Sequence, residues 1–294
     1  MKITLIGSLG NITKPLAKIL IEKGHQVTII SSTSDRQEEI KAIGAKPAIG
    51  KLEDTEFLTS AFTGADAVYT MVPPDFSASN FRLYIATTGK SIAEALKKSQ
   101  VKKVVNLSSI GADLPDGTGP IAGLYDVEHT FEQLDADVKH LRAAYFYINF
   151  LANIDMVKHV GILGSNFSAE TKMVLVHPID IAAAAADELE SNFSGKSVRY
   201  VASSDNQVAG DVARYIGEAI NKPSLPWIEF SDEQALQGMI DAGLPEEIAK
   251  NYVEMGTAMR SGKIFEDYYK NKPSTLGNVK LVDFAKDFAL AYNN

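Results

Sequence analysis

The residues best suited to chemistry lie near the start of the chain, in Gly7-Ser8-Leu9-Gly10-Asn11-Ile12-Thr13. A short β-branched run, Lys2–Ile6, precedes them, and Leu16, Ile19 and Leu20 follow at helical spacing. A pyrophosphate needs backbone close to its oxygens, so side chains must be absent there. It also sits well on the free N–H groups and positive end of a helix. Gly7 and Gly10 meet the first need, and a helix opening at Thr13 meets the second. Leu9, Asn11 and Ile12 complete the turn between them. The pattern G-x-x-G-x-x-T is a variant of G-x-x-G-x-x-G, whose last small residue allows close helix–strand packing, and Thr13 is a modest departure. Two glycines after a strand also serve plain turns. The strand before and the helix after are what favour a dinucleotide.

The end of the second strand bears on which dinucleotide. A site for NAD usually places Asp or Glu there, against the ribose 2′-hydroxyl. This chain reads Ile29-Ile30-Ser31-Ser32-Thr33-Ser34-Asp35-Arg36, with no carboxylate at the strand tip. Ser32, Thr33 and Arg36 suit a 2′-phosphate, so NADP(H) is favoured over NAD(H). Asp35 keeps NAD open, and the same residues would also serve to cap the next helix.

These residues need a framework. Strands are expected at Lys2–Ile6, Gln26–Ile30, Pro47–Ile49, Ala67–Val72 and Val101–Leu107, with helices between them. Alternating strands and helices mean βαβ units, a doubly wound parallel sheet and the Rossmann form of an α/β fold. The second half is less regular. Strands are expected at His140–Ala144, Arg199–Ala202 and Trp227–Phe230, and helices at Pro178–Leu189, Val208–Ile220, Asp232–Ala242, Glu246–Ser261 and Leu281–Tyr292. We expect a nucleotide-binding core over residues 1–150 and a smaller, mainly helical substrate lobe over 151–294, with the chain free to cross between them.

Composition excludes several classes. The 294 residues carry a net charge of −8, which gives no general pull towards nucleic acid. There is no cysteine, hence no disulfide, thiolate nucleophile or cysteine metal site. The five histidines form no ligand cluster, and no metal is expected. No apolar run is long enough to span a bilayer. A cytoplasmic protein acting on a small molecule fits these features, with its oligomeric state open.

The order of several segments resembles the NmrA-like family, a branch of the atypical short-chain dehydrogenases that includes triphenylmethane and quinone reductases. The segments are the glycine loop, Gly64-Ala65-Asp66-Ala67-Val68, Val101-Lys102-Lys103-Val104-Val105 leading to Ser108-Ser109, Leu141 to Asn149, Asp180-Ile181-Ala182 and Ala242-Gly243-Leu244-Pro245. The resemblance implies that Val72, Pro73 and Pro74 pass along the adenine and ribose side. It also implies that Ala144, Tyr145, Phe146 and Asn149 line the nicotinamide end. On the residues alone, those aromatics read as core. Lys51 and Ala143 depart from the family pattern.

Most short-chain dehydrogenases use Tyr-x-x-x-Lys as the proton donor, the lysine lowering the tyrosine pKa. The helix after the fifth strand offers Tyr125, with His129 four residues on, and no lysine. Tyr125 and Ser108 are the weak catalytic candidates. Tyr268-x-x-x-Lys272 matches literally but lies far along the chain, as coincidence would have it. Two functions follow from the resemblance: an NADPH-dependent reductase of quinones or other electrophiles, or a redox-sensing regulator that binds dinucleotide and a partner protein without turnover.

Overall fold

The computed structural model describes residues 1–294. Its strands are β1 (Lys2–Ile6), β2 (Gln26–Ser31), β3 (Lys46–Ile49), β4 (Ala67–Thr70), β5 (Lys103–Ser109), β6 (Asp137–Ala143), β7 (Tyr145–Phe146), β8 (Leu163–Ser165), β9 (Lys172–Val176), β10 (Lys196–Val201), β11 (Ser204–Val208) and β12 (Trp227–Glu229). Its helices are α1 (Thr13–Glu22), α2 (Gln37–Ala42), α3 (Thr55–Phe62), α4 (Phe81–Ser99), α5 (Ile121–Glu132), α6 (Ile154–His159), α7 (Pro178–Glu190), α8 (Ala209–Ala219), α9 (Asp232–Asp241), α10 (Glu246–Ser261), α11 (Glu266–Lys270) and α12 (Leu281–Asn293). No helix is long and apolar enough to cross a membrane.

Seven strands form one sheet in the order β10-β6-β5-β4-β1-β2-β3, and every pairing in it is parallel. This is the doubly wound α/β architecture. Helices α1 and α7 pack on one face and α3, α4 and α5 on the other. The central strands are apolar on both sides because both faces are covered: β1 is buried from Ile3 to Ile6 and β4 throughout. Strand order reverses between β1 and β4, which opens a crevice at their carboxyl ends.

The chain crosses residue 150 to complete this sheet. Edge strand β10 pairs with β6, and α7 covers β4, β5 and β6, so part of the second half belongs to the core layer. The larger hydrophobic core runs without a break from Ile3 and Leu5 of β1 to Phe284 and Phe288 of α12. Asp180, in the first turn of α7, secures that join. It accepts from Ser203 Oγ at 2.5 Å and from the backbone N–H groups of Asn278 and Val279 at 3.0 and 3.1 Å. A buried carboxylate with three donors is a tie between segments, and it accounts for one of the segments that resemble the family.

Several boundaries differ from the sequence reading. The fourth strand ends at Thr70, because Met71 and Val72 leave the sheet and border a cavity. The segment after β2 begins as a 3-10 turn, Ser34–Arg36, because Thr33 Oγ1 accepts from Asp35 N and tightens the entry to α2. The sequence reading assigns no strand to Lys172–Val176, which is buried from Met173 onward and pairs with β7 and β11.

Candidate active site

The glycine loop follows β1 and turns sharply. Gly7 has φ +119° and Ser8 φ +51°, both in the left-handed half of backbone space. Gly10 N donates to the Gly7 carbonyl at 3.1 Å, and Ser8 N donates to the Ile30 carbonyl at 3.0 Å, which ties the loop to β2. Thr13 is buried, and its Oγ1 donates to the Ile6 carbonyl at 3.1 Å. The departure from a third glycine is therefore a clasp between helix and strand. Helix α1 opens at Ile12 with no side-chain cap and no acidic residue in its first turn. Its N-terminal end is thus suited to an anion. Ile12 is buried, Leu9 packs on the core, and Gly10 and Asn11 stand exposed.

At the tip of β2, Ser8 Oγ donates to Ser31 Oγ at 3.0 Å. Ser32, Thr33 and Arg36 are exposed beside it. Arg36 Nη1 meets Glu39 Oε2 at 3.0 Å, and Lys14 Nζ meets Glu39 Oε1 at 2.9 Å. One carboxylate holds two cations beside the loop, and these hydrogen bonds and charges keep its pKa below the usual range. Sequence reasoning missed Lys14. It sits one residue past the loop motif, where the signal was available.

A cavity of about 240 Å³ opens above the carboxyl ends of β4, β5 and β6. Val72, Pro74, Ser108, Ala144, Tyr145, Phe146 and Asn149 border it together, although they come from three separate stretches of chain. Met71 joins this cavity to the glycine loop: its Cγ lies 3.5 Å from where a Gly7 Cβ would stand. Pro73 stays outside the lining, and its carbonyl accepts from Tyr84 OH at 3.0 Å. The far wall comes from the second half of the chain, through Met255 and Met259 of α10 and through Ile264 and Phe265. The i, i+4 spacing of Met255 and Met259 on an amphipathic helix reads in sequence as plain core, and so it gave no sign of a site. Burial holds the Tyr145 phenol well above its usual range.

The two catalytic candidates part company here. Helix α5 turns Ile121 and Leu124 to the cavity, and Tyr125 is not in the lining. Tyr125 instead lies against His129, with ring centroids 3.9 Å apart and the planes tilted by 32°. Ser108 does border the cavity, and its Oγ donates to Glu128 Oε1 at 2.5 Å. Glu128 is buried and is gripped by Arg142, with Nε 3.1 Å from Oε1 and Nη2 2.8 Å from Oε2. Burial alone would lower the Arg142 pKa, but the bonds and charge of Glu128 outweigh it and hold the guanidinium charged. Tyr268 and Lys272 both bond Asp205, the tyrosine at 2.9 Å and the lysine at 2.5 Å. The literal Tyr-x-x-x-Lys match is a structural bridge outside the cavity lining.

Residues 7–149 match the model of an NAD(P)H-binding family. The whole chain superimposes on the NADPH-dependent quinone oxidoreductase QOR2 of Escherichia coli in complex with NADPH, at TM-score 0.82 and 19% identity over 97% of this chain and 99% of that one. Triphenylmethane reductase of Citrobacter sp. in complex with NADP(H) matches at TM-score 0.82 and 18% identity, over 97% and 99% of the two chains. A nucleoside-diphosphate-sugar epimerase of Staphylococcus aureus matches at TM-score 0.78 and 14% identity, over 97% and 100%. No curated protein matches the chain. Residues 7–149 are thus similar to an NAD(P)H-binding family, and the whole chain shares the fold of these three solved structures.

Proposed function

We propose that this chain is an NADPH-dependent reductase of quinones or similarly electrophilic small molecules. The observation that carries this reading is the cavity beside the glycine loop. Its wall is mostly apolar, and no Tyr–Lys pair enters it. Gly7, Gly10 and the N-terminus of α1 would hold a pyrophosphate. Ser32, Thr33 and Arg36, with Lys14 beside them, would hold a 2′-phosphate. Val72, Pro73 and Pro74 would flank the ribose, and Ala144, Tyr145, Phe146 and Asn149 the nicotinamide end. Bound NADPH would supply a hydride. An electron-poor acceptor takes it when held at the right distance, and gains its proton from water. The apolar wall of Met255, Met259, Ile264 and Phe265 suits a flat, weakly polar acceptor. The two reductases with this fold that were solved with NADPH or NADP(H) support the same choice of cofactor.

Anaerobic stopped-flow tests it. Protein loaded with NADPH is mixed with a panel of small quinones while the nicotinamide absorbance is followed. Rapid loss of absorbance on mixing is the expected result. Tight NADPH binding with no turnover across the panel would favour the regulator reading.

A further inference from the structure

Ser108 sits at the cavity wall with its only hydrogen already engaged. A hydroxyl has one hydrogen to donate and two lone pairs to accept with. The hydrogen of Ser108 goes to Glu128 Oε1, 2.5 Å away, inside the fold: Ser108 is 3% exposed and Glu128 4%. An ionised carboxylate can only accept, so it cannot reverse this bond. Arg142 fixes the carboxylate with two bonds, and is itself anchored by Tyr200 OH at 3.2 Å and Asp267 Oδ2 at 3.3 Å. Glu128, the one partner of the Ser108 hydroxyl, is therefore not free to turn.

We infer that Ser108 is a specificity-determining residue that accepts a hydrogen bond from an N–H or O–H of the bound ligand, its polarity set by the Glu128–Arg142 pair. This inference rests on the reductase reading and deepens it. A serine that donates would polarise an acceptor carbonyl. Ser108 cannot do that, and it selects instead for a donor on the molecule in the cavity. The donor is either the carboxamide NH2 of the nicotinamide or an amino or hydroxyl group on the acceptor. Glu128 and Arg142 are positioning residues that act through Ser108.

Two comparisons separate the sources. In the first, calorimetry sets NADP+ against its 3-acetylpyridine analogue, which keeps the carbonyl but lacks the NH2. In the second, kcat/KM is compared for 2-amino- and 2-methyl-1,4-naphthoquinone with NADPH. The wild-type protein should prefer the N–H-bearing member of one pair, and Ser108→Ala should lose roughly tenfold of that preference, the scale of one hydrogen bond. Glu128→Gln should lose it too, because the amide can donate to Ser108 and turn its hydroxyl round. A role in folding alone would lower affinity for both members of a pair and leave the preference unchanged. If Ser108→Ala and Glu128→Gln leave both preferences as they are in a protein that binds NADP+, the assignment is wrong and the cofactor reading stands. If the wild-type protein binds neither dinucleotide, the cofactor reading falls and takes this assignment with it.

Discussion

The hydroxyl of Thr13 occupies the space that a side chain on Gly7 would need. A Cβ built on Gly7 overlaps Thr13 Oγ1, which is held in place by its bond to the Ile6 carbonyl. The two positions are therefore coupled, and Gly7 also carries a φ of +119° that disfavours other residues. Gly10 differs: its φ is not positive, and a Cβ there would lie 3.1 Å from the Gly7 carbonyl oxygen. We expect Gly7→Ala to cost roughly 1–3 kcal/mol of stability, the scale of a strained backbone position. Gly10→Val should cost less stability and abolish dinucleotide binding by filling the space in front of α1. Thermal melts and NADPH titrations of both variants check this. Normal binding by Gly10→Val would rule out the loop as the pyrophosphate site.

Cofactor preference should depend on Arg36. NADPH is expected to bind more tightly than NADH, and Arg36→Ala should reduce that preference about tenfold, the scale of a charge-assisted hydrogen bond. Lys14→Ala should act in the same direction, because Lys14 shares Glu39 with Arg36. Equal affinities in the wild-type protein, or an unchanged preference in Arg36→Ala, would count against the assignment.

Turnover should not depend on the obvious tyrosines. Tyr125 lies outside the cavity lining, packed against His129. Tyr125→Phe should fall well short of the ~10²-fold loss expected for removal of a general acid. Tyr268→Phe should leave quinone turnover intact and lower stability by about 1 kcal/mol, through loss of the bond to Asp205. Phe146→Ala and Asn149→Ala border the cavity and should lower kcat/KM by ~10-fold or more through lost positioning. Steady-state kinetics on all four variants provide the comparison.

Stability should fall on mild acidification. Burial keeps the His140 and His177 pKa values below the ordinary histidine value. The unfolded chain takes up protons near its reference pKa of about 6.5, whereas the folded chain resists them. The contribution of these histidines is therefore complete above that pH and is lost as pH falls below it. The melting temperature should drop between about pH 7 and pH 5.5, as linkage requires. His140→Gln, which keeps an acceptor near Asn106 Nδ2, should flatten part of that slope.

The parallel sheet and the glycine loop were legible in the sequence because both are local. A strand buried on both faces shows as an unbroken apolar run, as in Ile3–Ile6. A sharp turn from strand into helix shows as glycine beside a helix start. Ala144, Tyr145, Phe146 and Asn149 could be singled out only through family resemblance, since aromatics at a strand end look like core. Only the tertiary structure decided the rest. Met255 and Met259 reach the cavity because α10 folds back over the ends of β4 and β5, a contact between residues far apart in the chain. Ser108 is separated from Glu128 by 20 residues, and Glu128 from Arg142 by 14, yet all three meet at one corner. Side-chain type shows that a serine can donate or accept. Which of the two it does depends on the partner that the fold places against it.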